Sequence, residues 1–75
     1  MKARVTVEGG RQYEFSSEAV GVRFSSVDAL GRVEERHDAI LATRPLLKPG
    51  VPLVVGFCTG IVGNFGEITG VRYSL

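Results

Sequence analysis

The chain opens on a strict alternation. In "KARVTVEGGRQYEF", Val5 and Val7 alternate with Arg4 and Thr6 before Gly9 and Gly10, and Tyr13 and Phe15 alternate with Gln12 and Glu14 after them. Period two marks half-buried strands, and the glycines between them mark a hairpin. A two-residue loop would set Val7 against Gln12 and Val5 against Glu14, mixing apolar and charged groups on one face. A three-residue loop of Gly9, Gly10 and Arg11 instead pairs Val7 with Tyr13 and Val5 with Phe15. It also supplies the left-handed glycine such loops need, so this is the expected register.

A third strand follows in "VGVRFS", with Val20, Val22 and Phe24 on one face and Gly21, Arg23 and Ser25 on the other. The period then changes. From Val27 on, Val27, Leu30, Val33, His37, Ile40 and Leu41 fall within one arc of about 140° at 100° per residue, as an amphipathic helix requires. Ser25 and Asp28 have capping-box spacing, Asp28 can pair with Arg32 one turn on, and Pro45 stops the segment. The competing signal is "DALG", with aspartate first and glycine fourth as type I turns prefer, and Gly31 inside the would-be helix. The periodicity favours the helix over that turn.

"RPLLKPGVP" holds every proline and reads as a loop. Beyond it, "GFCTGIVGNFGEITG" carries five of the ten glycines in the chain. As a hairpin turning at Gly63 and Asn64, it sets Val62 against Phe65, Ile61 against Gly66, Thr59 against Ile68, Phe57 against Gly70 and Gly56 against Val71, so large residues repeatedly oppose glycine and the strands should coil strongly. Leu53, Val55, Phe57, Ile61 and Ile68 then line one face, and Val54, Cys58, Val62, Phe65, Val71 and Tyr73 the other. Two apolar faces imply a strand covered on both sides. The expected fold is therefore a single α+β domain over residues 1–75, about five antiparallel strands with one helix, roughly residues 27–43, between the third and fourth. A small all-β barrel is the alternative.

Composition narrows the function classes. Nine basic and eight acidic side chains leave a net charge of +1, unlike the strongly basic balance of most nucleic-acid-binding domains. A lone cysteine excludes an intrachain disulfide, and a 75-residue chain hides only about 60% of its unfolded surface, so cover from a partner is expected. The N-terminus has no continuous apolar run of signal-peptide type, which makes a cytoplasmic location the default. The uncharged run from Pro49 to Gly66 does not read as a membrane span. Past Pro52 at most 14 residues remain, about 21 Å of helix against a hydrocarbon core of about 30 Å.

Candidate chemistry is sparse. Gly60, Gly63 and Gly66 lack the spacing and the lysine of a phosphate loop. On a helix, Glu34 and His37 would face one way as in carboxylate-bridged metal sites, but no further ligand accompanies them, so His37 reads as a packed histidine and no metal is expected. Cys58 has no neighbouring base or cation and reads as a buried thiol. No catalytic residue, cofactor or enzymatic activity is expected.

The main expectation is a binding or assembly module that forms a homo-oligomer or docks on a protein through Val54, Cys58, Val62, Phe65, Val71 and Tyr73. The alternative is a small RNA- or DNA-binding domain using Arg4, Arg23 and Arg72, with Tyr13 and Phe24 spent on the core. A small-ligand-binding domain comes third.

Overall fold

A computed structural model describes residues 2–17, 21–39, 46–57 and 59–74, with the side chains of residues 35–39 left aside. It contains β1 (Lys2–Val7), β2 (Gln12–Ser17), β3 (Val22–Val27), β4 (Val33–Ala39), β5 (Pro52–Gly56) and β6 (Val62–Ser74). The six strands form one antiparallel sheet in the order β4-β3-β2-β1-β6-β5, curled into a half-barrel.

The expected helix between the third and fourth strands is absent, so the α+β class is corrected to all-β; residues 40–43 lie outside the described chain. Residues 27–39 form instead the end of β3, a turn and β4. The reason is local. The Asp28 carboxylate accepts hydrogen bonds from the backbone N–H groups of Leu30 (2.9 Å) and Arg32 (2.8 Å), offering the backbone a partner that competes with helix. Gly31 sits at φ +81°, outside helical space. Leu30, which the helix would have buried, is 76% exposed at the turn. The Asp28–Arg32 pair does form, at 3.0 Å, but across a hairpin.

Three hairpins share one turn. The backbone N–H of Gly10, Gly31 and Gly60 donates to the carbonyl of Val7, Asp28 and Phe57 respectively, three residues earlier, at 2.9–3.0 Å. In each, that earlier residue donates its own N–H to the carbonyl one position after the glycine, and the glycine φ lies between +81° and +88°. Such three-residue loops need a left-handed residue, and glycine occupies that conformation at no steric cost. In the first hairpin the loop is centred one residue earlier than expected, which pairs Val5 with Tyr13 and Ala3 with Phe15. The faces are as the alternation predicts; the register slides by two.

The C-terminal hairpin differs more. It turns between Phe57 and Ile61, not at Gly63 and Asn64, neither of which has the positive φ that a primed turn demands. Val55 thus opposes Gly63, and Gly56 opposes Val62. Strand β6 is 13 residues long; its first half pairs with β5 and its second half, from Ile68, with β1. The register shifts once on each side, between Asn64 and Glu67 and between Ile68 and Gly70. Each bulge adds one residue and resets the alternation. Phe65, Ile68 and Val71, three apart, therefore all meet the core, which takes Phe65 and Val71 out of the second apolar face expected of this hairpin.

That core lies inside the curl. Val5, Val7, Leu53, Val55 and Ile68 are at most 1% exposed, and every phenylalanine joins Tyr13 in one aromatic cluster. Phe24 is its hub, with ring centroids 4.9 Å from Phe15, 5.0 Å from Phe65, 5.3 Å from Tyr13 and 6.0 Å from Phe57. Contacts of this kind add about 0.5–1.5 kcal/mol each beyond their buried area. They fasten the β5–β6 hairpin onto β2 and β3, strands with which neither β5 nor β6 shares a ladder among the described residues.

Candidate anion site on the polar face

The polar half of each alternation builds the opposite surface. Register places three rows across it: Ser74, Lys2, Ser16 and Arg23; Arg72, Arg4, Glu14 and Ser25; Gly70, Thr6, Gln12 and Val27, with Ser25 and Val27 buried. The three arginines expected of a nucleic-acid surface thus share one face. Tyr13 and Phe24 are buried, as expected, and Tyr73 is 56% exposed on the side of Ala3.

Arg72 lies directly opposite Arg4 on neighbouring strands. Like charges facing each other across a sheet are destabilising, so the pairing calls for compensation. Arg4 has some: its Nη1 donates to the Gly31 carbonyl oxygen at 3.2 Å, and its Nη2 lies 3.8 Å from the Glu14 carboxylate. Arg72 and Lys2 are exposed and have no ionic partner among the described residues. Arg23 is engaged by a contact of its own.

Between Arg4 and Arg72 lies a depression of about 280 Å³, lined by Arg4, Thr6, Gln12, Gly70, Val71 and Arg72. Its floor exists because position 70 has no side chain. A Cβ there would meet nothing within 4 Å, and the backbone does not have a positive φ. Neither crowding nor turn geometry explains this glycine; room above the strand does. Beside it, Gln12 Nε2 donates to Thr6 Oγ1 at 3.3 Å, and Thr69 Oγ1 donates to the Thr6 carbonyl at 3.3 Å.

A second depression, lined by Gly9, Gly10, Arg11, Gln12, Val27, Asp28 and Ala29, adjoins the turns. Its one carboxylate is committed: Asp28 also receives the Arg32 Nε at 3.0 Å. Its pKa is lowered from the usual 3.8, chiefly by the Arg32 backbone N–H, with the Arg32 side chain and the Leu30 N–H adding to this and desolvation opposing it. A carboxylate whose folded pKa is depressed contributes stability that is present above its unfolded pKa and lost as pH falls through the folded one. The melting-temperature gap between wild type and Asp28→Asn, which cannot titrate, should therefore hold from neutrality down to about pH 4 and narrow below it. A gap constant down to about pH 2 would sink that account.

Other expected sites fare differently. With β4 a strand, the three-residue spacing of Glu34 and His37 no longer implies a shared face, and no group of three or more metal-ligating side chains occurs among the described residues. Of the expected interface, Val54 (43%), Val62 (67%) and Tyr73 (56%) are exposed, Phe65 and Val71 pack against the core, and Cys58 lies outside the described residues. Sequence reasoning missed Lys2, Thr6, Gln12 and Gly70. The first three were legible as the polar phase of an alternation read only for its apolar phase.

No helix among the described residues is long and apolar enough to cross a membrane. No family model, curated protein or solved structure matches this chain.

Proposed function

We propose that this chain is a small nucleic-acid-binding module that grips the phosphate backbone with the polar face of its half-barrel. The observation that carries this reading is the Arg4–Arg72 pair, two guanidiniums set opposite each other over an open depression, with Lys2 next to Arg4 along β1. A phosphate between them relieves the like-charge contact and receives planar donors suited to its oxygens. The whole chain is nearly neutral, but the three rows above hold four cations, Lys2, Arg4, Arg23 and Arg72, and one carboxylate, Glu14. Charge is concentrated where the average hides it.

Aromatics take no part on that face, since the cluster of Tyr13 and the phenylalanines is committed to the core. Recognition accordingly rests on the backbone, not on base stacking. The assembly reading keeps a smaller footing than the sequence suggested. Val54, Ile61 and Val62 are exposed aliphatics of the sort that monomers commonly carry.

With Lys2, Arg4 and Arg72 engaging about three phosphates, the affinity for a single strand should fall with a log–log salt slope near −2. That is roughly a 15-fold loss between about 50 and about 200 mM salt. Fluorescence anisotropy with a labelled mixed-sequence oligonucleotide measures it. Arg72→Gln should weaken binding and reduce the slope by about 1. No binding at low salt, or binding indifferent to both salt and Arg72→Gln, would overturn the reading.

A further inference from the structure

We infer that the depression over Gly70 takes one ribose-phosphate unit and that the module prefers RNA to DNA. The inference rests on the nucleic-acid reading above and specifies its substrate. Gly70 occupies mid-strand β6 opposite Thr6, where a Cβ would meet nothing within 4 Å and φ is not positive. Glycine inside a strand is unfavourable, and although Gly70 flanks the bulge that follows Ile68, neither a packing contact nor a positive φ requires it, so the opening it leaves is the feature to explain. The opening is flanked by Arg4 and Arg72, which suit a phosphate, and by Thr6 and Gln12, which suit a sugar hydroxyl.

The polar pair fixes the second half of the assignment. Gln12 Nε2 donates a hydrogen bond to Thr6 Oγ1 at 3.3 Å, which leaves the Thr6 hydroxyl hydrogen to donate and Gln12 Oε1 to accept. A ribose 2′-hydroxyl is both acceptor and donor and satisfies both atoms at once, whereas deoxyribose offers neither. Thr6 and Gln12 are directly opposite on β1 and β2, one row from the Arg4 and Glu14 pair, so sugar and phosphate sites adjoin as they do in a nucleotide.

The test compares RNA, DNA and 2′-O-methyl RNA of one sequence by anisotropy, on the wild type and on Gly70→Val and Thr6→Val. RNA should bind about 5- to 10-fold more tightly than DNA, the amount that one or two hydrogen bonds supply. The 2′-O-methyl strand should bind the wild type no better than DNA does, and Gly70→Val and Thr6→Val should each lose the preference for RNA over DNA. Thr6→Val keeps a branched strand-former and serves as the check should Gly70→Val fold poorly. Equal, salt-sensitive binding of RNA and DNA would overturn this inference and leave the general reading standing. Undiminished RNA binding by Gly70→Val and Thr6→Val would overturn it as well. Absence of any nucleic-acid binding would overturn both.

Discussion

Phe24→Ala should leave the chain unable to fold. Phe24 is 1% exposed, and its ring contacts Tyr13, Phe15, Phe57 and Phe65 at centroid distances of 4.9–6.0 Å. Truncating a buried phenylalanine costs about 3–5 kcal/mol, and a core in this size class supplies roughly the same total. Both halves of the half-barrel lose their fastening at once, because the β5–β6 hairpin meets β3 through Phe57 and Phe65 and through no backbone ladder. The expected result is a thermal scan with no cooperative transition and a near-ultraviolet circular dichroism spectrum without aromatic signal. Phe24→Leu, which leaves a smaller cavity than alanine does, should lose less stability and melt cooperatively at a reduced temperature. A cooperative melt for Phe24→Ala within a few degrees of wild type would show that the aromatic cluster does not hold the fold.

The N-terminal strands were legible because alternation is a property of neighbouring residues. Val5, Val7, Tyr13 and Phe15 were assigned to the correct face, and only the loop centre of their hairpin was misplaced. Residues 27–39 were misread for a different reason. Their apolar spacing fits a helix, but the decision belongs to the Asp28 carboxylate, which captures two backbone N–H groups, and to the β3 edge, which gives β4 its ladder. A turn signal of four residues outweighed a periodicity of fifteen, since a ladder partner was available. In β6 the alternation failed because two bulges interrupt it, and no residue on its own announces a bulge. Gly66, at φ +107°, marks one of them only once the register is known. The polar face was half visible. Arg4, Arg23 and Arg72 could be named from the sequence, but that Arg4 faces Arg72 across a glycine-floored opening depends on a pairing between residues 68 apart in the chain.

Gly63 and Gly70 lie on the same strand and should answer the same substitution with opposite signs. At Gly63 a Cβ would sit 2.9 Å from Phe65 Cε2, 3.0 Å from Phe65 Cζ and 3.5 Å from Phe57 Cε2. The Phe65 ring cannot retreat freely, since its centroid lies 5.1 Å from that of Tyr13 and 5.0 Å from that of Phe24. Gly63→Val therefore forces methyl groups into the aromatic cluster and should cost about 3 kcal/mol, the upper end of what overpacking usually costs. In a domain of this length that lowers the melting temperature by roughly 15 °C. At Gly70 the same valine meets open space on the polar face, gains strand propensity and removes the entropy that glycine gives the unfolded chain, so stability should hold or rise by about 0.5 kcal/mol. Binding should respond in reverse order. Gly70→Val fills the depression between Arg4 and Arg72, whereas Gly63 belongs to the opposite surface and touches nothing there. Melting temperatures for the two variants, set beside their RNA affinities under conditions where both are folded, give a two-by-two outcome. Loss of stability at position 70, or its retention at position 63, would mean that the two faces of β6 have been assigned the wrong way round.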